Sequence, residues 1–158
     1  MANTQSMCTS FLGELMTATH NFGVAPTRGT TAADTFKAAL YYTTATVNAA
    51  TTAYSATGEV SGTGYTAGGT TVTNATAPAS TNTSTTAGTG YWTPSASFTW
   101  TTVTISTAFD TVLLYNSTQS NKAVSVHTFG SQTITAGNIT ITMPANAAGT
   151  ALLRLVTT

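Results

Sequence analysis

The chain has 158 residues and no formal net charge, and only 5% of its residues are charged, against about 25% in ordinary soluble domains. Four Lys or Arg cannot neutralise a run of phosphates or hold an anionic lipid surface, so the composition speaks against nucleic-acid and membrane partners. Four acids and two histidines leave few groups for acid–base catalysis.

The length suits one domain, or one domain with a short arm. The single cysteine, Cys8, excludes an internal disulfide and a cysteine-based metal cage. Residues 1–8 lack the charged and apolar regions of a signal peptide, so synthesis in the cytoplasm is expected. Thr makes up about a quarter of the chain. Asn74, Asn82, Asn116 and Asn138 each stand in an N-x-Ser/Thr sequon, matches that such a composition produces by itself.

In chain order, Thr9 or Ser10 is expected to cap a short helix carrying Phe11, Leu12, Leu15 and Met16 on one side. Thr19 and Phe22 continue that stripe, and Gly23 and Pro26 end it. The stripe has two uses open to it: packing on the chain's own core, or docking on a neighbouring subunit. Residues 1–33 are therefore read as a helical arm, and 34–158 as the main domain.

From Asp34 the pattern is that of strands. Phe36, Ala38, Leu40 and Tyr42 alternate with Lys37, Ala39 and Tyr41. A Thr- and Ala-rich stretch, 43–56, follows. Glu59 to Gly69 is punctuated by glycine and reads as a strand end, a loop and a restart. Thr70 to Thr76 forms a short strand. Pro78 to Gly90 holds only small and polar residues, as in an exposed loop or a distorted edge strand.

Further on, Phe98 and Trp100 share one parity while Val103 and Ile105 share the other, which predicts a β-bulge near Thr101-Thr102. Val112 to Tyr115 is a continuous apolar strand, Asn116 to Asn121 a turn, and Ala123 to Phe129 the next strand, with Val124 and Val126 on one face. Gly130 and Gly137-Asn138 mark further turns. Ile139, Ile141 and Met143 alternate up to Pro144, and Leu152 to Val156 closes the chain. Seven to nine short strands predict an all-β, antiparallel β-sandwich, jelly-roll-like, with a short N-terminal helix or arm.

Chemistry-bearing patterns are few. Glu14, Asp34, Glu59 and Asp110 stand apart in sequence, and nothing marks a glycosidase-type pair. His20 and His127 are far apart, and His127 reads as a structural histidine. No G-x-S-x-G elbow occurs. Gly62-Thr-Gly64-Tyr-Thr-Ala67 matches a dinucleotide fingerprint in letters, but a strand pattern follows where that fingerprint needs a helix. Thr71/Thr73, Thr102/Thr104, Thr133/Thr135 and Thr140/Thr142 form Thr-x-Thr pairs, as chance provides in so Thr-rich a chain. Tyr91 and Trp92 beside a polar loop suit sugar stacking, or packing at a subunit interface or in the core. The residues imply no catalytic group, no metal and no cofactor.

Asp34-Thr-Phe-Lys-Ala-Ala-Leu-Tyr41, Glu59-Val-Ser-Gly-Thr-Gly-Tyr-Thr-Ala-Gly-Gly69, Leu114-Tyr-Asn-Ser-Thr118, Asn121-Lys-Ala-Val124 and Ala136-Gly-Asn-Ile-Thr-Ile-Thr-Met-Pro144, with the Phe11 to Phe22 segment, span most of the chain. In that order they resemble a family of small virion proteins of tailed bacteriophages. The stretch from Pro78 to Thr93 is longer and richer in Thr than the family pattern. The resemblance implies a non-enzymatic head decoration (cement) protein on the capsid surface, or alternatively a tail, neck or fibre component with a receptor- or carbohydrate-binding role. It implies the major capsid protein and further copies of the chain, as dimer or trimer, for partners. The candidate interface residues are Phe11, Leu12, Leu15, Met16, Phe22, Tyr91 and Trp92.

Overall fold

The computed structural model describes residues 3–22, 33–81 and 88–157. Among them are one short helix, α1 (Thr9–Met16), and eight strands: β1 (Ser6–Met7), β2 (Phe36–Tyr42), β3 (Thr70–Thr71), β4 (Ala79–Ser80), β5 (Thr89–Trp92), β6 (Phe98–Asn116), β7 (Lys122–Ile141) and β8 (Leu153–Val156). The strands form two antiparallel sheets, ordered β1-β7-β6-β2-β3 and β4-β5-β8. The expected all-β sandwich with a short N-terminal helix is what the chain forms. The helix stops expected at Gly23 and Pro26, the Asn82 sequon and the middle of the Pro78 to Gly90 stretch lie outside the described residues.

The long hairpin β6–β7 organises the molecule. A straight strand of 19 residues would run about 60 Å, beyond the roughly 40 Å breadth of a domain this size. Yet Phe98, Trp100, Val103 and Ile105 at its far end share one core with Phe36 and Leu40. The ribbon therefore bends back over the body, at register shifts between Trp100 and Val103, Val103 and Ile105, Ile105 and Phe109, and Phe109 and Thr111. The first of these is the bulge expected from the parity switch. Thr102 sits there with φ 53°, and its amide donates to Asn138 Oδ1 at 2.9 Å.

No turn occurs at Gly130 or at Gly137-Asn138, because β7 runs through both. Gly137 pairs with Val103, and a Cβ there would come within 2.8 Å of Ile134 Cδ1. Its small size serves packing beside the bulge rather than a change of direction. The Thr70 to Thr76 strand is shorter than expected, only Thr70–Thr71 pairing with Lys37 and Ala38. Strand β2 is buried on both faces from Ala38 to Tyr41, as a central strand.

The helix begins at Thr9, so its N-cap is Cys8, one residue before the expected Thr9 or Ser10, and it has no side-chain cap. Thr9 is the first helical residue instead, and its amide, free of an intrahelical partner, bonds the Ala49 carbonyl at 2.8 Å. At the other end, the Ala18 and Thr19 amides bond the Leu15 and Glu14 carbonyls, at 3.1 and 2.9 Å. That pairing is a Schellman motif, with Ala18 (φ 55°) in the left-handed position that glycine favours. Among the described residues no helix is long and apolar enough to cross a membrane.

Candidate functional site

Three constellations bring chemistry-bearing side chains together. The first joins the N-terminal segment to the turn between β6 and β7. Asn116 is fully buried. Its Oδ1 accepts from the Thr118 and Gln119 amides at 3.1 and 3.2 Å, which fixes the orientation of its amide group. Its Nδ2 therefore donates to Asp34 Oδ2 at 2.7 Å and to His20 Nδ1 at 3.0 Å. With Nδ1 accepting, the His20 ring carries its hydrogen on Nε2 and donates to Glu14 Oε2 at 2.7 Å. Lys122 Nζ completes the chain on Glu14 Oε1 at 2.6 Å. Asp34 also accepts from the Asn21 amide at 2.8 Å and from Gln119 Nε2 at 3.2 Å. Burial alone would raise the Glu14 carboxyl, but the hydrogen bonds from Lys122 and His20 and the charge of Lys122 outweigh it and hold it below its ordinary value.

Glu14, His20 and Asp34, scattered in sequence, thus meet in space. The His20 side chain has no solvent exposure, and every polar atom named here has a partner inside the protein. The network is built as a clamp rather than as a reaction centre.

The second constellation surrounds Glu59. Tyr54 donates to Oε2 at 2.6 Å, and Tyr65 and the Gly68 amide donate to Oε1 at 2.8 and 2.7 Å. The Tyr65 hydroxyl also accepts from the Leu40 amide at 3.0 Å, and Tyr115 donates to the Gly68 carbonyl at 2.8 Å. Burial pushes the Tyr54 and Tyr65 hydroxyls well above their usual range, helped by Glu59, and pushes Tyr115 up to about 12. The 59–69 segment therefore closes on its own glutamate. Its glycines allow that closure: a Cβ on Gly69 would lie 1.8 Å from the Ala38 carbonyl oxygen, and one on Gly62 would lie 2.0 Å from that of Thr104. These contacts give the Gly-Tyr-Thr-Ala-Gly-Gly run a structural use and leave no phosphate-binding turn.

The third is an open, mainly apolar recess of about 470 Å³ between α1 and the small sheet, lined by Phe11, Leu15, Phe22, Tyr91, Trp92 and Leu155 among others. It gathers most of the candidate interface residues, though not all are available there. Phe11, Phe22 and Trp92 are buried in the chain's own core. The Phe22 ring stacks on Phe36 with centroids 4.5 Å apart and meets Trp92 edge-on at 4.7 Å. Trp92 Nε1 donates to the Thr76 carbonyl at 2.9 Å and to Asn74 Oδ1 at 3.2 Å. Trp92 is thus held inward and offers no face for stacking a sugar; of the uses left open for it, it takes core packing. Tyr91 and Leu15 are half-buried, whereas Leu12 and Met16 turn outward, Met16 with 86% of its surface exposed. Of the two uses expected for the helical stripe, core packing is taken by Phe11 and Phe22.

A smaller recess, about 280 Å³, lies on the other face of β8 and is lined by Ser125, His127, Arg154 and Val156 among others. His127 Nε2 and Ser125 Oγ are 2.8 Å apart, and burial pushes the His127 pKa down to about 4. Three sequon asparagines have internal duties: Asn116 in the clamp, Asn74 under Trp92 and Asn138 at the bulge.

Each of the four carboxylates is bonded within the protein. Glu14, Asp34 and Glu59 are accounted for above, and Asp110 Oδ1 accepts from Asn3 at 2.9 Å and Thr111 at 2.7 Å. From Val60 through Phe109 the chain carries no Asp, Glu, Lys, Arg or His. Asp34 and Glu59 are buried, Glu14 and Asp110 are half-buried, and Arg154 is an exposed cation. The scarcity of charge is legible in the sequence but the internal pairing of the carboxylates is not, because pairs such as Asn116 and Asp34 lie 82 positions apart.

No family model matches the chain, and neither the curated proteins nor the solved structures contain a match to it.

Proposed function

We propose that this chain is a non-enzymatic structural subunit of a tailed-phage particle, a head decoration protein that binds the major capsid lattice and stabilises the head. The observation that carries the reading is that all four carboxylates are hydrogen-bonded within the protein, with Asp34 and Glu59 buried and none of the four fully exposed. A surface of hydroxyls and small apolar groups docks on other protein without stripping water from ions, which costs several kcal/mol per buried charge. Weak repulsion between copies favours dense packing. Many modest contacts on a lattice add up through multivalency. The resemblance of the 34–41, 59–69 and 136–144 blocks to phage virion proteins supports the same reading.

The test is binding of the purified chain to heads that lack it. The proposal expects saturable binding that changes little between about 0.05 and 0.5 M salt, because few ions take part. Failure to bind, or binding that collapses with salt, contradicts it. The alternative placement in the tail, neck or fibre is separated from this one by copy number on the particle. A carbohydrate role for that alternative would have to rest on Tyr91, since Trp92 is enclosed.

A further inference from the structure

Arg154, on β8, meets no carboxylate among the described residues. The ion pairs there are those of Glu14 with Lys122 and His20, while Asp34, Glu59 and Asp110 accept from other groups. The guanidinium is nonetheless held in place. Its Nη1 donates to the Gly149 and Ala148 carbonyls at 2.7 and 3.4 Å, and its Nε and Nη2 have no partner among the described residues. An arginine anchored through one nitrogen and open at the other two keeps the planar fork that matches a carboxylate.

Arg154 lines the smaller recess together with Ser125 and His127 of β7 and with Met7, Leu153 and Val156. Ser125 and His127 stand two residues apart on one face of β7 and share a hydrogen over 2.8 Å. Burial pushes the His127 pKa down to about 4, so the ring is neutral at neutral pH. Whichever group donates, one hydrogen is left over: the N–H at Nδ1 when Ser125 donates, the Ser125 O–H when Nε2 donates. Neither Nδ1 nor the Ser125 hydroxyl has another side-chain partner among the described residues. The recess thus combines one positive charge, one free neutral donor and an apolar wall, and no acid lines it.

We propose that this recess binds a carboxylate, which Arg154 takes on its open Nε–Nη2 edge while the Ser125–His127 pair supplies a third hydrogen bond. Met7, Leu153 and Val156 then pack against the carbon chain. One guanidinium matches a monoanion, whereas a phosphate dianion would leave a charge unmatched. At about 280 Å³ the recess is smaller than most drug-sized sites. It holds a free acid of a few carbons, or the end of an acidic side chain from a bound protein.

The inference is independent of the capsid reading and is tested on the full chain by NMR of the histidine rings at pH 7 and constant ionic strength. Acetate should shift the His127 ring saturably, with a Kd of about 1–30 mM, and leave the enclosed His20 ring unmoved. Arg154→Gln should weaken binding at least tenfold, and Arg154→Lys, which keeps the charge but loses the fork, about threefold to tenfold. Lys37→Gln, a charge change elsewhere, should alter nothing. N-acetylglutamate N-methylamide separates the two sources: tighter binding than acetate assigns the site to a protein side chain, equal or weaker binding to a free acid, and either supports the site. A His127 ring that stays unshifted up to about 0.2 M of both probes overturns the proposal. So does a folded Arg154→Gln chain that binds acetate as the wild type does, or a shift that follows ionic strength rather than acetate.

Discussion

Asn116 donates to the carboxylate of Asp34 at 2.7 Å, inside the protein and across 82 positions of chain. With its second amide hydrogen on His20, this one side chain ties the end of the N-terminal segment, the start of β2 and the β6–β7 turn into a single unit. Removing it leaves Asp34 and His20 each short of a partner in a buried site. Asn116→Ala is therefore expected to lower stability by about 2–4 kcal/mol in denaturant unfolding. A loss below about 1 kcal/mol would mean that the clamp contributes little.

How much of this was legible in the sequence differs from element to element. The bulge at Thr102 could be read because Phe98 and Trp100 change parity with Val103 and Ile105, and burial enforces parity. Strand β2 and the turn after Asn116 were visible for similar local reasons. Gly130 and Gly137 misled because glycine marks a permissive backbone, and a ladder held by its neighbours can run straight through one. The choice among sugar, interface and core for Trp92 was not legible, because its neighbours in sequence are mostly polar while its neighbours in space are Phe22 and Phe36. The clamp and the Glu59 cradle had no sequence signal, since polar pairs formed by tertiary packing follow no period.

Gly69 and Gly90 make a matched pair of tests. A Cβ on Gly69 would strike the Ala38 carbonyl, and its φ of 71° disfavours any side chain. Gly90 has nothing within 4 Å of an added Cβ. Gly69→Ala should destabilise by more than about 3 kcal/mol or prevent folding, while Gly90→Ala should stay within about 0.5 kcal/mol of wild type. Thermal unfolding of the two variants checks this.

Ala18 occupies a left-handed helix C-cap at φ 55°. Ala18→Gly should relieve that strain and stabilise by about 0.5–1 kcal/mol, raising Tm by roughly 1–4 °C. An unchanged or lower Tm would contradict the motif.

Acid should act in two stages. Folding lowers the His127 pKa from its ordinary 6.5 to about 4, so between these values the unfolded chain binds a proton that the folded chain does not. Stability is then full above pH 6.5 and falls as the pH drops toward 4. Glu14 is held below its ordinary value of 4.5, so its contribution is present above that pH and is lost as the pH falls further. Tm measured against pH should decline through both windows. His127→Gln should flatten the first and spare the second.

The central claim is that this nearly uncharged β-sandwich works as a lattice-bound subunit of a phage head. Its most direct test is the number of copies per purified particle, by quantitative mass spectrometry. The account predicts copies on the order of hundreds, as repeated attachment to a lattice requires. A dozen or fewer, or none at all, would contradict it.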